Sequence, residues 1–242
     1  MPSEKGHLYL IPVTLGSIDP LEVMPISVKH IVEMVDDYIV ENEKTARRAI
    51  KSLVPEKQQS ILNFSLINKY TDISEIPEFL NACLAGKNMG LMSEAGVPGV
   101  ADPGADVVAI AHEKGIKVIP LVGPSSILMA VMASGLNGQN FAFNGYLPID
   151  SKDRRKKITE LEQRSRIEQQ AQLFIETPYR NGKMLDELIN SLNPETMLSI
   201  ACDITLPTEF IKTQPVSQWK FNKEEFHKRP AIFMLQHKAQ SY

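Results

Sequence analysis

The polar residues best placed to do chemistry fall directly after short apolar runs. Glu41-Asn42-Glu43-Lys44, with Arg47 beyond, follows the run Tyr38–Val40 and opens a helical pattern. Glu41 and Glu43 are candidate proton acceptors, and Lys44 and Arg47 candidate holders of an anionic substrate. Glu176-Thr177-Pro178-Tyr179-Arg180 closes another apolar run and adds Glu176 as a base and Arg180 as a cation. A compact basic cluster contains Lys152, Arg154 and Arg155, continues through Lys156 and Lys157, and has the chemistry to grip RNA phosphates. Each group also has a plain structural reading: helix-start acids, a turn, and a solvated helix face broken up by Asp153, Glu160 and Glu162.

Two Gly/Pro bends are better suited to holding a ligand than to reacting with it. Ser93-Glu94-Ala95-Gly96-Val97-Pro98-Gly99-Val100-Ala101-Asp102-Pro103-Gly104 lies between a strand pattern and a helix pattern. In a parallel sheet that is the address of a binding loop, and its glycines let backbone approach a ligand closely. Read structurally, the segment is a long turn with Asp102 as helix cap and Pro103 at the first helical position. Gly123-Pro124-Ser125-Ser126 likewise ends an apolar strand and starts an apolar helix, whose free N–H groups suit a carboxylate or phosphate unless Ser125 and Ser126 serve only as caps.

Several chemistries are excluded. No Gly-x-Gly occurs, so the dinucleotide fingerprint is missing, and there is no Gly-Lys-Ser/Thr P-loop or Gly-x-Ser-x-Gly elbow. The five histidines lack ligand spacing, and Cys83 and Cys202 stand far apart, so no metal is expected and both thiols read as core. The net charge of −3 confines any nucleic-acid contact to a local patch. Met1–His7 lacks a signal-peptide pattern, and no apolar run approaches the roughly 20 residues of a membrane span, so a cytoplasmic protein is expected.

The elements that must position these residues alternate along the first half. Strands are predicted over His7–Pro12, Tyr38–Val40, Ser60–Phe64, Met89–Met92 and Val118–Val122, with helices over Val28–Val35 and Gly104–Lys114. Such alternation predicts an α/β fold with a mostly parallel sheet. Beyond it come a helix over Ser125–Ser134, a strand over Phe141–Leu147 and a charged helix from Ser151. Strands over Gln172–Glu176, Leu198–Asp203, Glu209–Thr213 and Ala231–Leu235 follow, several joined by short loops, which predicts a mixed second sheet. The domain boundary is expected at the Gly-Pro switch, giving domains over 1–119 and 120–242.

Taken in order, Ser93-Glu94-Ala95-Gly96-Val97-Pro98 with Ala101-Asp102-Pro103-Gly104, then Pro120-Leu121-Val122-Gly123-Pro124-Ser125-Ser126, Ala133-Ser134-Gly135-Leu136, Gly145-Tyr146-Leu147-Pro148 and Glu176-Thr177-Pro178-Tyr179-Arg180 resemble the tetrapyrrole methylase superfamily. Within it, the chain is most similar to the ribosomal RNA small-subunit methyltransferases that modify a cytidine ribose 2′-hydroxyl. The resemblance implies two α/β domains, a homodimer, and S-adenosylmethionine (SAM) in a cleft between the domains, with one Gly/Pro bend from each half converging on it. It implies cofactor contacts from Pro12, Ser93, Glu94, Ala95, Gly96, Val100, Asp102, Ser125, Ser126, Glu176, Thr177, Pro230 and Ala231. The chain departs from the family pattern at Val40-Glu41-Asn42-Glu43-Lys44, at Glu94 and at Cys202-Asp203-Ile204-Thr205-Leu206, where substrate is expected.

Methyl transfer from a sulfonium needs alignment more than catalytic side chains, but a ribose hydroxyl also needs its proton moved. Glu41, Glu43 and Glu176 are the candidates for that, with Arg47 polarising the acceptor and Lys44, Arg47, Lys152, Arg154, Arg155 and Arg180 contacting ribosomal RNA or the small subunit. The rival readings are a methylase acting on a small tetrapyrrole-like ring and a non-catalytic SAM-binding, ribosome-associated module.

Overall fold

The computed structural model describes residues 4–68 and 70–237; Met1–Ser3 of the polar N-terminal stretch lie outside them. The chain divides into two compact units, residues 1–125 and 126–242.

The first unit is built on an all-parallel sheet of β1 (His7–Ile11), β2 (Asp37–Val40), β3 (Asn63–Leu66), β4 (Met89–Met92) and β5 (Lys117–Pro120), in the order β3-β2-β4-β1-β5. Alternation along each strand sends side chains to two cores. Tyr9, Ile11, Tyr38, Val40 and Met92 meet α1 (Ile26–Met34) and α2 (Glu43–Leu53) on one face. Leu8, Ile39, Met89 and Leu91 meet α3 (Ile76–Phe79), α4 (Asn81–Leu84) and α5 (Gly104–Glu113) on the other. Central β4 is therefore buried along its whole length. Gly90 in it is required by packing, since a Cβ there would sit 2.7 Å from Ile11 Cδ1 and 2.8 Å from Tyr38 Cδ1.

Local signals set the helix ends. Asn42 Oδ1 accepts from the Lys44 and Thr45 N–H groups at 3.0 and 3.2 Å, which starts α2 directly after β2. Gly115, at φ +62°, ends the α5 segment.

The second unit contains α6 (Ser126–Ser134), β6 (Phe141–Tyr146), α7 (Ser151–Glu168), β7 (Ala171–Ile175), α8 (Asn181–Ser191), β8 (Met197–Cys202), β9 (Phe210–Pro215), α9 (Val216–Trp219) and β10 (Ala231–Gln236). Its sheet runs β6-β7-β10-β8-β9; only the β6–β7 pair is parallel, so the sheet is mixed. One core gathers Phe174, Phe233, Trp219, Ile158 and Leu188, with the Phe174 and Phe233 rings stacked at 5.8 Å. Trp219 satisfies its buried indole N–H on the Leu198 carbonyl at 3.0 Å.

Both sheets agree with the patterning, with three corrections. The edge strand β3 begins at Asn63, because Gln59–Ile61 form a 3-10 turn that uses up the start of the expected Ser60–Phe64 strand. The units divide after Ser125, later than the 119/120 boundary, because Pro120 still pairs with Leu10 in β5 and the Leu121 N–H donates to the Leu10 carbonyl at 3.0 Å. The Gly123 bend consequently belongs to the first unit along with the Ser93–Gly104 loop, so the two bends do not come one from each half. Among the described residues, no helix is long and apolar enough to cross a membrane.

Arg154, read above as an RNA contact, is buried in α7. Its Nε and Nη2 reach Glu187 of α8 at 2.5 and 2.6 Å, and its Nη1 donates to the Pro148 and Ile149 carbonyls. This guanidinium pins a loop and two helices, and no fork remains for a phosphate. Glu187→Ala strands a buried cation and is expected to cost about 3–5 kcal/mol in urea denaturation, whereas the joint replacement Arg154→Met with Glu187→Leu recovers most of the loss. Equal losses from the single and joint changes would contradict this.

Candidate active site

In parallel sheets, ligands bind beyond the carboxyl ends of the strands, where the connections diverge to opposite faces. Here that point is the end of β1 and β4. The chain leaves β1 toward α1 and β2 on one side, and leaves β4 through α5 to β5 on the other.

Two close backbone approaches build the site around the end of β1. Val13 and Gly96 exchange both N–H···O bonds, at 2.8 and 2.9 Å, clamping the Ser93–Gly104 loop onto the chain beyond β1. Gly96 does this at φ +77°, a conformation that a β-carbon disfavours. On the other side Gly123 lies so near Pro12 that a Cβ would fall 2.3 Å from two of the proline ring carbons. The two bends also meet each other: a Cβ on Gly96 would stand 3.6 Å from the Pro124 carbonyl oxygen.

The loop carries its own scaffold. Both Asp102 carboxylate oxygens accept from the Gly99 N–H, at 2.9 and 3.0 Å, and Oδ1 also accepts from Gly104 at 2.8 Å. The N-cap of α5 is Pro103 and the helix starts at Gly104, one residue later than expected, so Asp102 is not the cap itself, although it holds the first helical N–H; Ser93 is buried and donates to the Ala95 carbonyl at 3.1 Å. Glu94, Ala95 and Val100 remain exposed along the loop, and Pro12 is buried under the bends.

Glu41 comes from the end of β2 and joins this loop. Its carboxylate faces the Glu94 N–H and the charges of Asp102 and Glu94. Burial, then the like charge of Asp102, raise its pKa; the Glu94 N–H works against this and the Glu94 carboxylate adds to it. Burial raises Asp102 as well, against its two backbone hydrogen bonds. None of these three carboxylates has an ion-pair partner among the described residues. The strand ends therefore present a cluster of negative charge that is not neutralised internally.

Other foreseen residues are placed differently. Glu43 and Arg47 pair with each other at 2.7 Å; Arg47 also donates to the Gln59 carbonyl at 2.6 Å and lies over the Phe64 ring at 4.5 Å. They strap α2 to the β3 edge and are not free for base or substrate roles. Lys44 is exposed at the start of α2. In the second unit, Glu176 and Arg180 are brought together: Glu176 Oε1 accepts from Arg180 Nε and Nη2 at 3.0 and 2.6 Å and from the Thr177 N–H at 2.6 Å. That carboxylate orders the turn after β7 and is not poised to take a proton. Pro230 accepts from the Asp203 N–H, and Ala231 opens β10 opposite Cys202. Ser125 ends the first unit, Ser126 opens α6, and Lys152 and Arg155 are exposed on α7. Both cysteines are buried, which pushes each thiol up to about 11 and leaves it unreactive.

One residue escaped the sequence reading. Arg48, beside Arg47, lines a cavity of about 280 Å³ with Pro12, Thr14, Thr45, Met92 and Glu94. Adjacent helix positions differ by about 100° of rotation, so the two arginines face different surroundings, and only the folded helix tells which one meets the site.

No protein-family model matches the chain. Among curated proteins it is similar to ribosomal RNA small subunit methyltransferase I of Vibrio cholerae, with 28% identity covering 90% of this chain and 72% of that protein. It is also similar to ribosomal RNA small subunit methyltransferase I of Leptospira biflexa, with 28% identity covering 98% of this chain and 94% of that one. Among solved structures it matches the methyltransferase CobJ with a TM-score of 0.62 at 14% identity, covering 97% of this chain and 95% of that one. Uroporphyrin-III C-methyltransferase from Thermus thermophilus complexed with S-adenosyl homocysteine matches with a TM-score of 0.55 at 15% identity, covering 96% and 98%.

Two outcomes are expected. Gly123→Ala drives a methyl group into Pro12 and should lower stability by about 1–3 kcal/mol, while Gly182→Ala in α8, where a Cβ meets nothing within 4 Å, should raise it by about 0.5–1 kcal/mol in the same thermal denaturation. The raised pKa of Glu41 means that its ionisation opposes folding. The penalty is absent below its ordinary value of 4.5, grows through the raised folded value, and is complete above that. Glu41→Gln should therefore raise Tm at neutral pH, with the gain shrinking toward nothing as pH falls to about 4.5; a pH-independent difference would refute this.

Proposed function

We propose that this chain, which carries the fold of the tetrapyrrole methyltransferases and is related to ribosomal RNA small subunit methyltransferase I, is a SAM-dependent methyltransferase acting on small-subunit ribosomal RNA. The observation that carries this reading is the uncompensated carboxylate cluster of Glu41, Glu94 and Asp102 at the converged strand ends. Its chemistry fits a cationic cofactor and disfavours an anionic one such as a nucleotide triphosphate. When bound, SAM supplies a methyl group already activated on a sulfonium.

The chain's own residues then have distinct tasks. The Ser93–Gly104 loop and the Gly123 bend shape a rigid seat around Pro12, with exposed Glu94, Ala95 and Val100 available to the cofactor. Glu41, whose pKa is raised by burial and by the charge of Asp102, is the proton acceptor that a ribose hydroxyl requires. Resemblance adds Ser125, Ser126, Glu176, Thr177, Pro230 and Ala231 as cofactor contacts, together with a homodimer and a cytoplasmic setting. Exposed Lys152 and Arg155 serve as phosphate contacts for RNA; Arg154 does not.

Unmodified small ribosomal subunits incubated with methyl-labelled SAM and the protein should yield a 2′-O-methylated nucleotide in the rRNA. Glu41→Gln should lower kcat by about 100-fold or more with little change in KM for the subunit. Binding of SAM without any label entering rRNA would exclude the proposed substrate.

A further inference from the structure

We infer that Arg229 is a positioning residue for the cofactor: its guanidinium fixes the lead-in to β10, so that the Pro230 and Ala231 backbone stands at a set place beside the Glu176–Thr177 turn. This rests on the proposed methyltransferase reading, in which those four residues contact SAM, and adds the side chain that sets where they stand.

Strand geometry brings the pieces to one end of the second sheet. β10 runs antiparallel to both its neighbours, with Ile232 opposite Ile175 of β7 and Ala231 opposite Cys202 of β8, so its start meets the carboxyl ends of both. The three residues before Ala231 are each tied to a different neighbour. The Lys228 N–H donates to the Pro178 carbonyl at 2.9 Å, the Arg229 carbonyl accepts from Asn181 Nδ2 at 2.6 Å, and the Pro230 carbonyl accepts from the Asp203 N–H at 3.0 Å. Pro178 opens the 3-10 turn that follows Glu176 and Thr177, and the buried Asn181 begins α8 directly after it.

The Arg229 side chain closes this stitching. Its Nε donates to Asp203 Oδ2 at 2.7 Å, its Nη2 to the Thr208 carbonyl at 2.6 Å, and its Nη1 to the Glu225 carbonyl at 2.9 Å and to the Glu224 carboxylate. Asp203 Oδ2 accepts from Thr208 Oγ1 as well, at 2.8 Å. One planar fork thus ties the β8–β9 loop and the 224–225 segment to the residue that leads into β10, a task that a flexible point charge cannot perform.

The segments it holds are strained. Asp203, Thr205 and Lys228 lie at φ +50°, +73° and +62° although none is glycine, and Thr205 is β-branched. Thr205 Oγ1 is also buried without a hydrogen-bond partner among the described residues. Such features cost folding energy, persist only where the surroundings over-determine them, and concentrate where position matters more than stability. Arg229 keeps 21% of its side chain exposed, so the network borders solvent at the sheet's end, unlike the Arg154 pair inside the unit.

The test sets SAM affinity by calorimetry beside Tm by thermal denaturation, on the full chain. Arg229→Gln should weaken SAM on the order of 10-fold, and Arg229→Lys, which keeps the charge but not the fork, should recover part of the loss. Leu161→Ala, a core truncation in α7, should lower Tm at least as far while leaving SAM affinity within about 2-fold, which separates position from stability. Should Arg229→Gln not fold, Glu224→Gln removes one ion partner and should weaken SAM by more than about 2-fold. Unchanged SAM affinity in these network variants overturns the assignment alone, as does an equal loss in Leu161→Ala. If the unmodified protein ignores SAM, the methyltransferase reading fails and the assignment falls with it.

Discussion

The functional architecture depends on how closely backbone can pack around the end of β1. Pro12 tolerates only hydrogen opposite it at Gly123, and Val13 is bridged on both its polar groups by Gly96. Two glycines, one allowed by conformation and one by contact distance, thus bring the chain after β4 and the chain after β5 onto the same strand end. Any other residue at Gly123 must displace Pro12 or the turn that carries Gly123, and with it the surface on which a cofactor would rest.

Electrostatics follow from that geometry. Parallel strands deliver their carboxyl ends to one edge, so Glu41 from β2 and the loop after β4 are neighbours by topology. The loop turns one acid inward to hold its own amides and leaves another exposed, while Glu41 is half-buried beside both. Burying Glu41 beside like charge costs folding energy, and a positive ligand bound there would offset that cost.

Much of this was legible in the sequence. Buried parallel strands read as continuous apolar runs, so β1, β2 and β4 were visible; the edge strand β5 showed through its Val118-Ile119 pair, and the Gly/Pro loop stood out because its neighbours were so regular. The edge strand β3 was misplaced because its start competes with a 3-10 turn over Gln59–Ile61. The short helices α3, α4 and α9 and the amphipathic α8 went unnoticed. Side-chain partners were the least legible feature. Arg154 reads as one member of a basic run, and its burial against Glu187 depends on a helix 33 residues later. Arg47 and Arg48 are adjacent and identical in type, so local composition could not tell which one straps α2 to the β3 edge. Asp102 reads as an N-cap from its place before Pro103, but the helix starts at Gly104 with Pro103 as its cap, and the carboxylate instead ties the Gly99 and Gly104 amides together.

The central claim is that the strand-end carboxylates recognise the positive charge of the cofactor. It is tested most directly by measuring the affinities of SAM and of S-adenosyl homocysteine, its uncharged thioether counterpart, across a pH series. If the cluster acts as described, the preference for the sulfonium should grow as pH rises and Glu41 and Asp102 ionise, and should flatten in Glu41→Gln. A ratio of the two affinities that stays constant with pH would contradict the account.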